Sequence, residues 1–178
     1  MVFEDYYNGL KKVIDSLRKE EVDSVLEVLK ACKSRGGTVY LIGNGGSAST
    51  SEHWVNDLIK IGGLRAVSLT NISVITALGN DISYDDVFVE QLKTMFKEGD
   101  VVVGITGSGN SPNVVKALEY VLGNGGVGVG VLGFKGGRCL EVLRNRGKYI
   151  LVETEDYGFL EDIHLSLAHY FARVLKKV

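Results

Sequence analysis

The chain has 178 residues, 45% hydrophobic and 24% charged, and its 20 Lys and Arg against 22 Asp and Glu leave a net charge of −2. That balance suits one globular domain burying roughly 70% of its unfolded surface, and it lacks the basic excess of a nucleic-acid or anionic-membrane binder. No apolar run approaches the roughly 20 residues that span a bilayer. The opening Phe3-Glu4-Asp5 lacks a secretory layout, and Cys32 and Cys139 are too isolated for a disulfide framework or a thiolate metal cage. The expectation is a cytoplasmic protein without nucleic-acid or membrane partners.

Phe3, Tyr7, Leu10, Ile14 and Leu17 alternate spacings of four and three, which predicts an amphipathic helix. A second helix is predicted from Glu21 to Lys33, with Val22, Val25, Leu26 and Leu29 inward and Arg35-Gly36-Gly37 as its stop. These helices precede any strand. They either pack on the domain behind them or also bind a second copy, so residues 1–35 are a candidate oligomer interface.

From Gly37 onward strands alternate with helices. Strands are predicted at 38–42, 65–69, 101–105, 127–132 and 148–152, and helices at 48–61, 73–79 with 84–97, 112–123, 138–146 and 158–177. Short, near-continuous β-branched runs indicate burial on both faces, as in a parallel sheet flanked by helices. No linker or repeat divides the chain, so 1–178 reads as one domain.

Two Gly- and Ser-rich loops stand where strands give way to helices: Gly43-Asn44-Gly45-Gly46-Ser47-Ala48 and Thr106-Gly107-Ser108-Gly109-Asn110-Ser111. Small residues let the backbone approach a ligand, and amides at a helix start supply donors for an anion. A phosphorylated small molecule is the expected ligand; plain turn material is the alternative. Gly43, Gly45 and Ala48 also satisfy G-x-G-x-x-A, but a dinucleotide site needs a carboxylate after the second strand. Here that strand ends Val67-Ser68-Leu69-Thr70-Asn71.

His53 and Asp57 lie four apart on the predicted helix 48–61, about 6 Å apart on one face. Such a pair either shares a metal or proton, or is an ordinary solvated i,i+4 contact. The adjacent Trp54 reads as core or subunit contact.

At these loops the chain resembles a sugar-isomerase (SIS) domain, and most closely phosphoheptose isomerase. The matching stretches are the first loop with His53, then Thr76-Ala77-Leu78-Gly79-Asn80-Asp81. Further on come Gly99 to Ile105 with the second loop, and Glu161-Asp162-Ile163-His164 through His169. The resemblance covers nearly the whole chain. It implies a flavodoxin-like five-stranded parallel sheet sandwiched by helices, a homotetramer with active sites shared between subunits, and zinc in some members. The implied reaction interconverts sedoheptulose 7-phosphate and glycero-manno-heptose 7-phosphate through an enediol(ate).

Carried onto this chain, the resemblance assigns Asn44, Gly45, Gly46, Ser47, Thr106, Gly107, Ser108 and Ser111 to phosphate and sugar hydroxyls, and Asn80 and Asp81 to sugar orientation. Asp57 becomes the proton-abstracting base and His169 the shuttle between oxygens. His53, Asp57, Glu161 and His169 are the candidate metal ligands, with Glu161 also touching substrate. The family normally has Glu at position 57 and Gln at 161, so the base here is one methylene shorter and the pocket one charge more negative. Glu161 and His169 are about 12 Å apart and about 80° round an unbroken helix, so they either face different parts of the pocket or the helix crosses it steeply. His164, about 140° round from His169, reads as a capping or surface residue. A non-catalytic adaptor of the replication-initiator-binding type, or a sugar-phosphate-sensing regulator, is the alternative. Retention of Asp57 and His169 favours the enzyme.

Overall fold

Valine and isoleucine runs build the sheet, and the two-residue period of a strand divides their side chains between its faces. The computed structural model describes residues 2–177. Its strands are β1 (Thr38–Gly43), β2 (Arg65–Ser68), β3 (Val101–Thr106), β4 (Val127–Gly133) and β5 (Lys148–Val152). They form one sheet in the order β2-β1-β3-β4-β5, and every pairing is parallel. This is the five-stranded flavodoxin-like arrangement, and the central strand β3 is buried along its whole length.

The helices are α1 (Phe3–Asp15), α2 (Lys19–Ser34), α3 (Gly46–Lys60), α4 (Ile72–Asp81), α5 (Val87–Met95), α6 (Pro112–Gly123), α7 (Gly137–Leu143) and α8 (Tyr157–Leu175). Val39, Leu41, Val101 and Val103 pack on one face with Leu29 of α2, Trp54 and Leu58 of α3, and Phe171 of α8. Tyr40, Ile42 and Val102 pack on the other with Phe88 and Leu92 of α5, Leu118 of α6 and Leu143 of α7. Burying one such large side chain is worth about 1.5–3 kcal/mol. The two clusters therefore hold the strand ends that carry the loops.

Most boundaries fall within two residues of expectation, and the differences have local causes. The helix expected at 84–97 divides into a 3₁₀ turn, Tyr84–Asp86, and α5, which stops at Met95 because Phe96 turns extended (φ −70°, ψ 141°). Helix α3 begins at Gly46 rather than at 48, drawing Gly46 and Ser47 of the first loop into its opening turn. Helix α1 buries none of its residues fully. It is fastened to α8 by the Tyr6 hydroxyl, which donates to Asp162 Oδ2 at 2.6 Å, and by the Tyr6 ring against Phe159.

Candidate active site

The two loops leave the carboxyl ends of β1 and β3, which are neighbours in the sheet. The strand order reverses between them, the switch point where open α/β sheets bind ligands. A cavity of about 210 Å³ lies there, lined by Asn44, Gly46 and Ser47 of the first loop and Thr106, Gly107, Ser108 and Ser111 of the second, with Tyr157 and Glu161 of α8. Thr106 Oγ1 accepts from the Gly109 amide at 3.2 Å, and Ser108 Oγ from the Asn110 amide at 3.2 Å. Each hydroxyl shapes its loop with a lone pair and keeps its hydrogen for a ligand oxygen. The helix starts of α3 and α6 add their positive ends.

Close approach favours glycine at two positions of this lining. A methyl at Gly46 would run into the Glu161 carboxylate, and one at Gly107 would stand 2.7 Å from Tyr157 Cε1. Tyr157 therefore covers the second loop, backed by Phe134 with ring centroids 5.2 Å apart. Glu161 is the sole charged side chain in this lining.

Two turns farther along α3, His53 and Asp57 meet His169 of α8. The His53 and His169 Nε2 atoms are 3.1 Å apart, and Asp57 Oδ2 lies 3.6 and 3.7 Å from them. Both rings are partly exposed, whereas Asp57 is buried, its Oδ1 accepting from Asn56 Nδ2 at 3.0 Å. The helices are held together beneath this cluster by Trp54, which is fully buried, donates Nε1–H to the His164 carbonyl at 2.9 Å and packs edge-on to Phe171.

The donor set fits a divalent metal. Three ligand atoms, two imidazole nitrogens and one carboxylate oxygen, lie within 4.8 Å of one another. Tetrahedral zinc with bonds of about 2.1 Å would place its ligands about 3.4 Å apart, close to the distances just given. The grouping comprises His53, Asp57 and His169; Glu161 lies against Gly46 in the other cavity instead. Of the two arrangements open for α8, Glu161 and His169 face different parts of the site.

His164 differs from its capping or surface expectation. It is 1% exposed, and burial pushes its pKa down to about 4. Among the described residues its Nε2 is the one buried side-chain polar atom without a hydrogen-bond partner. The helix face opposite His169 is turned to the core, not to water. Asn80 and Asp81 end α4, where Asn80 Nδ2 donates to Asp81 Oδ1 at 2.8 Å, both exposed; neither lines the cradle. Sequence reasoning missed Tyr157, Tyr84 and Asn113. Tyr84 and Asn113 both bond the Asn44 carboxamide. Pro112 at the start of α6 marks the helix beside Asn113, but nothing local in the sequence pairs residue 113 with residue 44.

A family model described as SIS domain matches residues 3–133, which makes this an SIS-domain protein. The phosphoheptose isomerase of Geotalea daltonii is 34% identical over 94% of this chain and 90% of its own length. That of Syntrophotalea carbinolica is 30% identical over 99% and 93%. The structure of phosphoheptose isomerase GmhA from Neisseria gonorrhoeae superposes with a TM-score of 0.92 at 27% identity, covering 98% of this chain and 97% of that one. The chain belongs to the phosphoheptose isomerase family, whose members are isomerases.

Proposed function

We propose that the protein interconverts sedoheptulose 7-phosphate and glycero-manno-heptose 7-phosphate, with the phosphate between the two loops and the first two carbons at the His–Asp cluster. The observation that carries this reading is the separation of the two places. Gly46 and His53 are seven residues apart on α3, about 10 Å along the axis. Eight bonds join C1 of a heptose 7-phosphate to its phosphorus. An extended chain gains about 1.2 Å per bond, so the span is also about 10 Å. A pentose 5-phosphate falls short by two carbons.

In the ketose-to-aldose direction, Asp57 takes a proton from C1 and the electron pair enters the C1–C2 bond as an enediol(ate). The C2 oxygen gains the proton delivered by His169, and the O1 hydroxyl gives one up to it. Asp57 returns its proton to C2, C1 becomes the carbonyl carbon, and no electrons are gained or lost overall. His53 and Asp57, on one face of α3, orient the His169 ring. The three side chains are the candidate holders of zinc, which when bound would polarise the carbonyl and make the adjacent carbon more acidic.

The reading includes a homotetramer and a cytoplasmic setting. Exposed Phe3 and Tyr7 on α1, with Ile72 at the start of α4 and Ile82 just past its end, support the first. For the second, both cysteines are free and buried, and burial pushes their thiols to about 11 for Cys32 and about 12 for Cys139. Among the described residues no helix is long and apolar enough to cross a membrane. The deciding experiment incubates the protein with sedoheptulose 7-phosphate, with and without zinc, and follows the aldose by NMR. Turnover that falls at least about 100-fold in Asp57→Asn and His169→Asn supports the roles given; no turnover in either condition rejects them.

A further inference from the structure

The cradle's donors converge only while two loops from different strands keep their spacing, and one pair of side chains crosses that gap. Asn44 Nδ2 donates to Asn113 Oδ1 at 3.0 Å, and Asn113 Nδ2 donates back to Asn44 Oδ1 at 3.0 Å. The Val114 amide donates to Asn113 Oδ1 at 2.9 Å, which identifies that atom as the oxygen and orients both carboxamides. From the 3₁₀ turn, the Tyr84 hydroxyl donates to Asn44 Oδ1 at 2.9 Å. Asn113 is 1% exposed, so breaking the pair strands polar atoms where water does not reach them.

The Asn44 carboxamide has two acceptor sites and two hydrogens. Both acceptor sites and one hydrogen are spent on Asn113 and Tyr84, leaving a single N–H for a ligand. Its principal work is therefore to hold protein to protein. Hydrophobic contact would bring the loops together without direction, whereas a reciprocal amide pair sets both distance and angle.

We propose that Asn113 is a positioning residue that, with Tyr84, locks Asn44 and so holds the two Gly/Ser loops at phosphate-binding spacing. Three chain segments converge on one carboxamide: the first loop, the start of α6 behind the second loop, and the turn that follows Asn80 and Asp81. The inference rests on the phosphate-cradle reading above.

The test is calorimetric titration with inorganic phosphate of the wild type, Asn44→Ala, Asn113→Ala, the double variant and Tyr84→Phe, followed by steady-state kinetics with the sugar phosphate. Asn113→Ala weakens phosphate binding about tenfold and raises KM by a similar factor while kcat stays within about twofold. The double variant loses no more than about twofold beyond the worse single one, because Asn113 acts through Asn44. Tyr84→Phe, which deletes one exposed hydroxyl, weakens binding about two- to threefold, and it decides the matter should Asn113→Ala fail to fold. Wild-type affinity in both Asn113→Ala and Tyr84→Phe, or losses that add in the double variant, overturns the positioning role while leaving the cradle intact. A wild type that binds no phosphate overturns the cradle reading itself, and the clamp with it.

Discussion

His53 Nε2 and His169 Nε2 lie 3.1 Å apart although the residues are 116 positions apart in the chain. At that distance one ring can donate its N–H to the other's lone pair. Asp57 Oδ2, 3.6 and 3.7 Å from the two nitrogens, completes a small polar triangle. The same triangle can share a proton or surround a cation, and the choice is open to measurement.

Zinc titration by competition with a chromophoric chelator should show one tight equivalent per chain. His53→Ala and His169→Ala should each weaken it about 100-fold or more, since each removes one of three ligands. Trp54→Phe keeps all three but loses the bond to the His164 carbonyl. It should cost about 1 kcal/mol in urea unfolding and weaken zinc binding about tenfold through the misplaced helix. Equal zinc affinity in wild type and His169→Ala would show that the triangle is not a metal site.

How much of this was visible in the sequence depends on how local each feature is. The strands were legible because a run such as Val101-Val102-Val103 has no use outside a buried strand, and the loops because their small residues follow such runs directly. Helical spacing put His53 and Asp57 on one face, but only the neighbouring loop and the family resemblance set the pair apart from an ordinary solvated i,i+4 contact. His164 was misread because its angle from His169 says only that it faces away from the site. On α8 that direction leads to the core, where Ile163, Leu167 and Phe171 also lie. Asn113, Tyr84 and Tyr157 were invisible because each acts across the fold on a loop remote in sequence.

The Glu161 carboxylate sits in a cradle otherwise lined by neutral groups. A negative charge a few ångströms from a bound phosphate opposes it by about 1 kcal/mol, or about fivefold in affinity, where water screens the pair. Glu161→Gln should therefore tighten inorganic phosphate about fivefold at low ionic strength, with the gain shrinking in 0.5 M salt as the Debye length falls to about 4 Å. Zinc affinity should stay within about twofold, because the carboxylate lies against Gly46 and not in the triangle. A tenfold loss of zinc in this variant would instead place Glu161 among the ligands.

Stability should depend on pH through His164. Burial holds its folded pKa at about 4, against about 6.5 in the unfolded chain. Above about pH 6.5 neither state binds the proton, and this histidine has no effect. As pH falls from about 6.5 to about 4 only the unfolded state takes it up, so folding loses up to about 3 kcal/mol from this one group. Urea unfolding at pH 7 and pH 5 should show a drop of about 2 kcal/mol from this source. In His164→Asn, which cannot titrate, that share of the drop should vanish whatever the variant's stability at pH 7.

The amino-terminal helix supplies the last prediction. One side of α1 is held to α8 through Tyr6 and packs on the core through Leu10, while Phe3 at 71% and Tyr7 at 54% exposure meet in a tilted pair with centroids 4.6 Å apart. An aromatic pair left in water on an otherwise anchored helix is stabilised by a partner surface, each ring being worth about 1.5–3 kcal/mol once covered. Light scattering should give a mass four times the 19.3 kDa of one chain. Phe3→Asp with Tyr7→Asp should shift that mass to dimer or monomer at micromolar concentration, with the far-ultraviolet circular dichroism preserved because neither ring is part of the core. A monomeric wild type would end the tetramer reading, and an intact tetramer in the double variant would move the interface elsewhere.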